Sequence, residues 1–150
     1  MKKFLKRIGT ILLLLFIGQF LIIVFRKDRT FDGPYPKISV TTDSATIARG
    51  KYLVMGPAHC ADCHSNPGNA KDVAAGIEVP LSGGAVFNLP PGKIYPRNIT
   101  PDKETGIGRF TDDQLARSLR YGIGTDGRAM FDIMSFHHVS DEDLTAIFSY

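Results

Sequence analysis

Cys60-Ala61-Asp62-Cys63-His64 is the stretch on which the reading of this chain turns. Two cysteines separated by two residues, with histidine next, form the attachment pattern of a c-type haem. The chemistry requires that arrangement. Two thiols add across the two vinyl groups of a porphyrin, and the following residue lies beneath the iron, where its imidazole serves as the proximal axial ligand. The chain has 2 cysteines, so the motif consumes both. Other uses of C-x-x-C fit less well. A thioredoxin-like pair expects a βαβ context, which the pattern lacks. A zinc site needs four ligands, and no second C-x-x-C or H-x-x-x-H pair completes one. A structural disulfide leaves His64 without a reason.

The N-terminus reads as an export and membrane signal. Met1-Lys2-Lys3-Phe4-Leu5-Lys6-Arg7 is a basic lead-in to an apolar run from Ile8 to Phe25, broken only by Gly9, Thr10, Gly18 and Gln19. Those 18 residues reach the lower end of the roughly 17–25 needed to cross a bilayer core as a helix. A cleaved signal peptide has a shorter apolar region that ends in small residues. Here the run ends in Ile22-Ile23-Val24-Phe25-Arg26-Lys27, so an uncleaved anchor is expected. Four basic residues precede the run and three follow it, a balance that orients the helix only slightly. Haem attachment breaks the tie, because in bacteria it takes place outside the cytoplasm. The expected location is the bacterial inner (cytoplasmic) membrane, with the haem domain on the periplasmic, extracytoplasmic side.

Charge changes meaning once the anchor is set aside. The whole chain is +3, but residues 1–29 hold seven of 18 basic and one of 15 acidic residues, leaving 11 basic and 14 acidic, a net of −3. Nucleic-acid binding is therefore excluded as the meaning of the basic pI. Residues 30–42, with Gly33, Pro34 and Pro36, lack periodicity and read as a linker. Residues 43–150 then have the length of one small domain.

Three helices are predicted there. The first follows Asp43-Ser44 and runs to about Met55, with Ile47, Gly50 and Val54 on one face. The second starts at Thr111 and stops at Gly122, with an apolar stripe of Leu115, Leu119 and Ile123 and with Arg117 and Arg120 facing away. The third begins at Ser140, with Asp143 three residues on and Leu144, Ile147 and Phe148 on its buried face. Its pattern still runs at Tyr150 without a stop signal, so the domain's C-terminus is expected to be incomplete. Between the first two helices, residues 65–110 are irregular and rich in Gly and Pro, as loops that wrap a haem edge would be.

The motif and its surroundings resemble a known family. Gly50-Lys51-Tyr52-Leu53, Cys60 to His64, Leu81-Ser82-Gly83-Gly84 and Ile94 to Asp102 carry the likeness, together with Thr105-Gly106-Ile107-Gly108 and Phe110-Thr111-Asp112. Further on, Gly122-Ile123, Asp126-Gly127-Arg128, Met134 and Ser140 to Leu144 continue it. On these residues the chain is similar to membrane-anchored class I cytochromes c related to the cytochrome c subunits of bacterial alcohol and gluconate dehydrogenases. The Asn98 to Gly108 block is the most particular part. The resemblance implies an all-α, small class I cytochrome c fold with haem-wrapping loops, preceded by one N-terminal transmembrane helix. It also implies that Gly50 sits where the first and last helices cross, near Phe148. Subunits of that family usually carry three haem domains; this chain has one motif.

The sixth iron ligand is the open choice. A thioether favours ferrous iron and raises the potential. The family pattern, methionine-proline-aromatic before the last helix, falls on Met134-Ser135-Phe136, with serine in place of proline. Met134 is the expected ligand, and Met130 and His137, with its neighbour His138, are the alternates. Met130 otherwise packs, and His59 reads as a surface residue. Arg97, Lys93 and Arg128 are the cations available to haem propionates, Arg97 first among them. Asp102 and Glu104 lack the spacing of a calcium loop.

The expected function is a monohaem c-type cytochrome: a membrane-tethered one-electron carrier between a dehydrogenase and a respiratory acceptor, with one covalent haem c. No convergent acid, base and nucleophile set is present, so a redox-complex subunit is expected rather than an independent catalyst. The implied partners are the membrane and redox proteins (dehydrogenase, oxidase or another cytochrome). The alternative is an open-iron haem enzyme or a gas or redox sensor, which needs Met134 off the iron and a polar group such as His137 facing it. A third reading, a non-haem interaction module on an anchor, leaves the motif unused.

Overall fold

The computed structural model describes residues 2–90, 92–134 and 136–150. The apolar N-terminal run forms one helix, α1 (Lys2–Arg26), with no residue buried. Its length and hydropathy are sufficient to cross a membrane. Behind it the regular elements are mainly helices, joined by long loops: α2 (Ser44–Met55), α3 (Cys60–His64), α4 (Ala70–Ala74), α5 (Asp112–Tyr121) and α6 (Asp141–Ser149). The all-α expectation needs one amendment. Phe87–Leu89 (β1) and Gly92–Ile94 (β2) form a two-stranded antiparallel pair with Phe87 opposite Ile94. Three-residue strands are too short to show alternation in sequence.

The helix starts follow from their caps. The Asp43 carboxylate accepts the Thr46 N–H at 2.8 Å at the head of α2. Thr111 and Gln114 form a reciprocal capping box on α5, and Ser140 accepts the Asp143 N–H at 3.1 Å on α6. The left-handed Gly122 (φ 63°) ends α5.

Packing centres on α2 against α6. Leu144 and Ala146 of α6 and Leu53 and Val54 of α2 are buried. Gly50 is the contact point: a Cβ there would overlap the Ala146 carbonyl oxygen and lie 2.9 Å from Tyr150 Cβ. Gly50 thus sits at the crossing of the two helices, as expected, with Ala146 and Tyr150 nearest to it, and Phe148 lines a cleft with Val40, Thr41 and Thr42. Arg49 holds Asp143 through two hydrogen bonds of 2.8 and 3.0 Å. Glu78 receives both the Lys51 ammonium and the Tyr150 hydroxyl, the latter at 2.8 Å. A smaller cluster of Ala61, Val73 and Val79, flanked by Met55 and Leu81, lies beneath α3 and α4.

The arginines of α5 do not face away. Arg117 is 6% exposed, donates to the Gly124 carbonyl at 3.1 Å and stacks on the Tyr35 ring at 4.4 Å. The Arg120 side chain is 15% exposed and reaches Asp141 and the Val139 carbonyl. The reason is local. Past Gly122 the chain folds back, with Ile123 bridged to Ala129 and the Met130 N–H on the Gly122 carbonyl, which brings the Gly124 carbonyl within reach of Arg117. Leu115 and Leu119 are half-buried, and Ile123 is the buried member of their stripe.

Residues 30–42 carry no helix, but they touch the body behind them. Thr30 bridges Arg128, the Phe31 N–H bonds the Gly127 carbonyl at 2.8 Å, Pro36 is buried, and the Thr41 N–H bonds Ser149 Oγ at 3.1 Å.

Candidate functional site

The five motif residues form a single turn of helix, α3, so Cys60, Cys63 and His64, three and four positions apart, share one side. His59 precedes them in the left-handed region at φ 54°, the one non-glycine with positive φ among the described residues. Its Nδ1 lies 2.7 Å from Asp62 Oδ2 on the surface, so His59 closes the turn rather than facing the site. Both cysteines are free thiols. Burial pushes the Cys60 thiol up to about 11, and burial also raises Cys63. Thiols held protonated are poor disulfide-exchange nucleophiles, opposite to the lowered value of a redox-active pair. Among the described residues no group of three metal-binding side chains exists.

His64 is held from behind. Its Nδ1 lies 2.8 Å from the Arg97 carbonyl oxygen. A carbonyl only accepts, so the proton is on Nδ1 and the Nε2 lone pair is left for a metal. The His64 carbonyl in turn accepts the Gly83 N–H at 2.6 Å. Arg97 thus contributes its main chain, while its side chain is exposed. Nothing in the Arg97 side chain signals this; the glycine at position 83 is the nearest clue. Gly83 (φ 78°) lies so close to the next strand of chain that a Cβ would meet the Pro96 carbonyl oxygen at 2.7 Å.

The other candidates lie apart from α3 in sequence. Met134 is half-buried on the loop between α5 and α6. Met130 is 37% exposed on the same loop. The His137 ring donates from Nδ1 to the Arg120 carbonyl at 2.6 Å and turns Nε2 toward Asp132, and His138 is exposed. Lys93 is exposed on β2, and Arg128 pairs with Asp126 at 2.8 Å.

These residues fit a covalently held porphyrin. The two thiols and a metal-ready imidazole stand on one turn. Among the described residues Leu144 is the one large side chain that is fully buried, while Val86, Phe87, Tyr95, Met130, Phe131 and Ile133 remain exposed, apolar side chains of the kind a porphyrin face covers. That donor set is characteristic of a c-type cytochrome.

Comparison with known proteins agrees. The fructose dehydrogenase cytochrome subunit of Gluconobacter japonicus is 36% identical over 108 residues, which are 70% of this chain and 20% of that protein. The gluconate 2-dehydrogenase cytochrome c subunit of Pantoea cypripedii is 36% identical over 111 residues, 72% of this chain and 23% of its own. The cytochrome c subunit of the alcohol dehydrogenase (quinone) of Gluconobacter oxydans matches at 36% over 111 residues, 72% and 21% of the two chains. No protein-family model matches. On this likeness the chain is a c-type cytochrome related to these dehydrogenase cytochrome c subunits, and it spans about a fifth of the length of those relatives.

Proposed function

We propose that the chain is a membrane-tethered, extracytoplasmic one-electron carrier that holds one haem c and passes electrons from a dehydrogenase to a respiratory acceptor. The observation that carries this reading is the single turn Cys60–His64, with His64 oriented by the Arg97 carbonyl. Residues 43–150 form a class I cytochrome c domain, residues 1–29 the anchor, and residues 30–42 the segment between them. Cys60 and Cys63 would hold the porphyrin covalently, and His64 and Met134 would be the residues that coordinate its iron. When bound, the group supplies a one-electron couple whose potential a thioether ligand raises. The rest is the work of the chain. It keeps the His64 proton on Nδ1, brings apolar side chains around the site, and presents residues 30–150, net −3, to a partner with a complementary basic face.

The test is carbon monoxide binding to the reduced protein. A closed iron binds the gas poorly in the parent, whereas Met134→Ala admits it and lowers the potential. Met130→Ala does neither, and as an exposed residue costs little stability. Rapid binding by the parent would instead make the chain an open-iron haem enzyme or sensor.

A further inference from the structure

The loop that supplies the Arg97 carbonyl is locked by its own side chains. The Asn98 amide oxygen accepts from the Thr100 N–H at 2.9 Å and the Thr100 hydroxyl at 2.7 Å. The Asn98 amide nitrogen donates to Thr105 Oγ1 at 3.0 Å, and that hydroxyl donates to Asp102 Oδ1 at 2.8 Å. Asp102 Oδ1 also accepts the N–H groups of Thr105 at 2.6 Å and Glu104 at 3.0 Å. These bonds hold its carboxyl below the usual range. The glycines seal the loop, since a Cβ at Gly106 would overlap the Thr100 carbonyl oxygen and one at Gly108 that of Pro101.

This lock acts on a peptide plane. The Arg97 carbonyl and the Asn98 nitrogen belong to one planar unit, so whatever fixes Asn98 aims the oxygen that His64 binds. The opposite side of that unit is wedged by Gly83, and the Ile99 N–H bonds the Leu81 carbonyl at 2.9 Å. Thr105 is the hinge pin: its hydroxyl accepts from Asn98 and donates to Asp102 at once, which valine of the same shape cannot do.

We propose that the Asn98–Thr105–Asp102 clamp positions His64, by aiming the Arg97 carbonyl at Nδ1, and thereby sets the basicity of the imidazole and the reduction potential. The inference rests on the reading of His64 as the proximal ligand. A well-aimed acceptor makes the ring more electron-rich and favours ferric iron, so loosening the clamp raises the potential.

The experiment compares Thr105→Val, Thr105→Ser and Arg49→Ala in the full, haem-loaded chain. It reads the potential and the solvent exchange of the His64 Nδ1–H by NMR. In Thr105→Val the exchange quickens about tenfold and the redox equilibrium shifts about tenfold toward ferrous, about 59 mV for one electron. Thr105→Ser stays at the parental values. Arg49→Ala, which breaks the pair with Asp143, lowers the melting temperature and moves neither readout. Parental values in Thr105→Val, or an equal shift in Arg49→Ala, overturn the proposal. Where Thr105→Val fails to load haem, Asp102→Asn takes its place with a smaller shift in the same direction, and no shift there overturns it as well. A parent chain without covalent haem removes the functional reading and the clamp with it; a haem-loaded parent with a silent valine variant removes only the clamp.

Discussion

Gly50→Ala tests the helix crossing on which the domain is built. The added Cβ would lie 2.7 Å from the Ala146 carbonyl carbon and 2.9 Å from Tyr150 Cβ, besides overlapping the Ala146 oxygen. Two of those three atoms are helix backbone, so no side-chain rotation relieves the overlap, and α6 must move off α2. Overpacking of this kind costs roughly 1–3 kcal/mol, and a backbone obstacle places it near the upper end. Alanine returns about 1 kcal/mol through its helix propensity. The net loss is then about 2 kcal/mol. For a domain of this size each kcal/mol is worth roughly 4 °C, so the melting temperature of the haem-loaded protein falls by roughly 8 °C. Circular dichroism melts of the parent, Gly50→Ala and Gly18→Ala supply the comparison. Gly18 lies on α1 with nothing within 4 Å of an added Cβ, and its variant melts with the parent. A Gly50→Ala protein as stable as the parent would refute the crossing.

Tyr35→Ala uncovers the buried guanidinium of Arg117, which has no carboxylate partner among the described residues, and lowers stability by about 1–2 kcal/mol; an unchanged urea midpoint would mean that Tyr35 is not docked. Burial and the hydrogen bond to Glu78 raise the Tyr150 phenol from 10.0 to about 12. Because the folded value lies above the unfolded one, this stabilisation is full below pH 10 and is lost as pH rises toward 12. Melts across that window show the decline in the parent, and Tyr150→Phe is expected to flatten it.

The parts of the fold that were legible are those governed by short-range rules. Asp43, Thr111 and Ser140 announce helix starts because a cap involves residues three apart, and those helices stand where the pattern put them. Arg117 and Arg120 were misread because a charge on a helix normally faces water. Their acceptors, the carbonyls of Gly124 and Val139, come from loops whose return path the helical pattern does not encode. At the site, C-x-x-C-H stands out in the sequence by its side-chain chemistry alone. The partner of His64 was not, because a carbonyl is common to every residue and the name Arg97 points to its guanidinium. The Asn98 to Gly108 block stood out as family-specific, yet its use becomes visible only when Asn98, Asp102 and Thr105 are seen bonded to one another.

The most direct measurement is the pyridine haemochrome spectrum of the full chain after acid–acetone extraction, taken for the parent and for Cys60→Ala and Cys63→Ala. The account predicts one haem per parent chain that resists extraction and has both vinyl groups saturated, with each cysteine variant keeping at most one thioether and far less haem. Haem that extracts from the parent, or both variants retaining the parental amount, would contradict it.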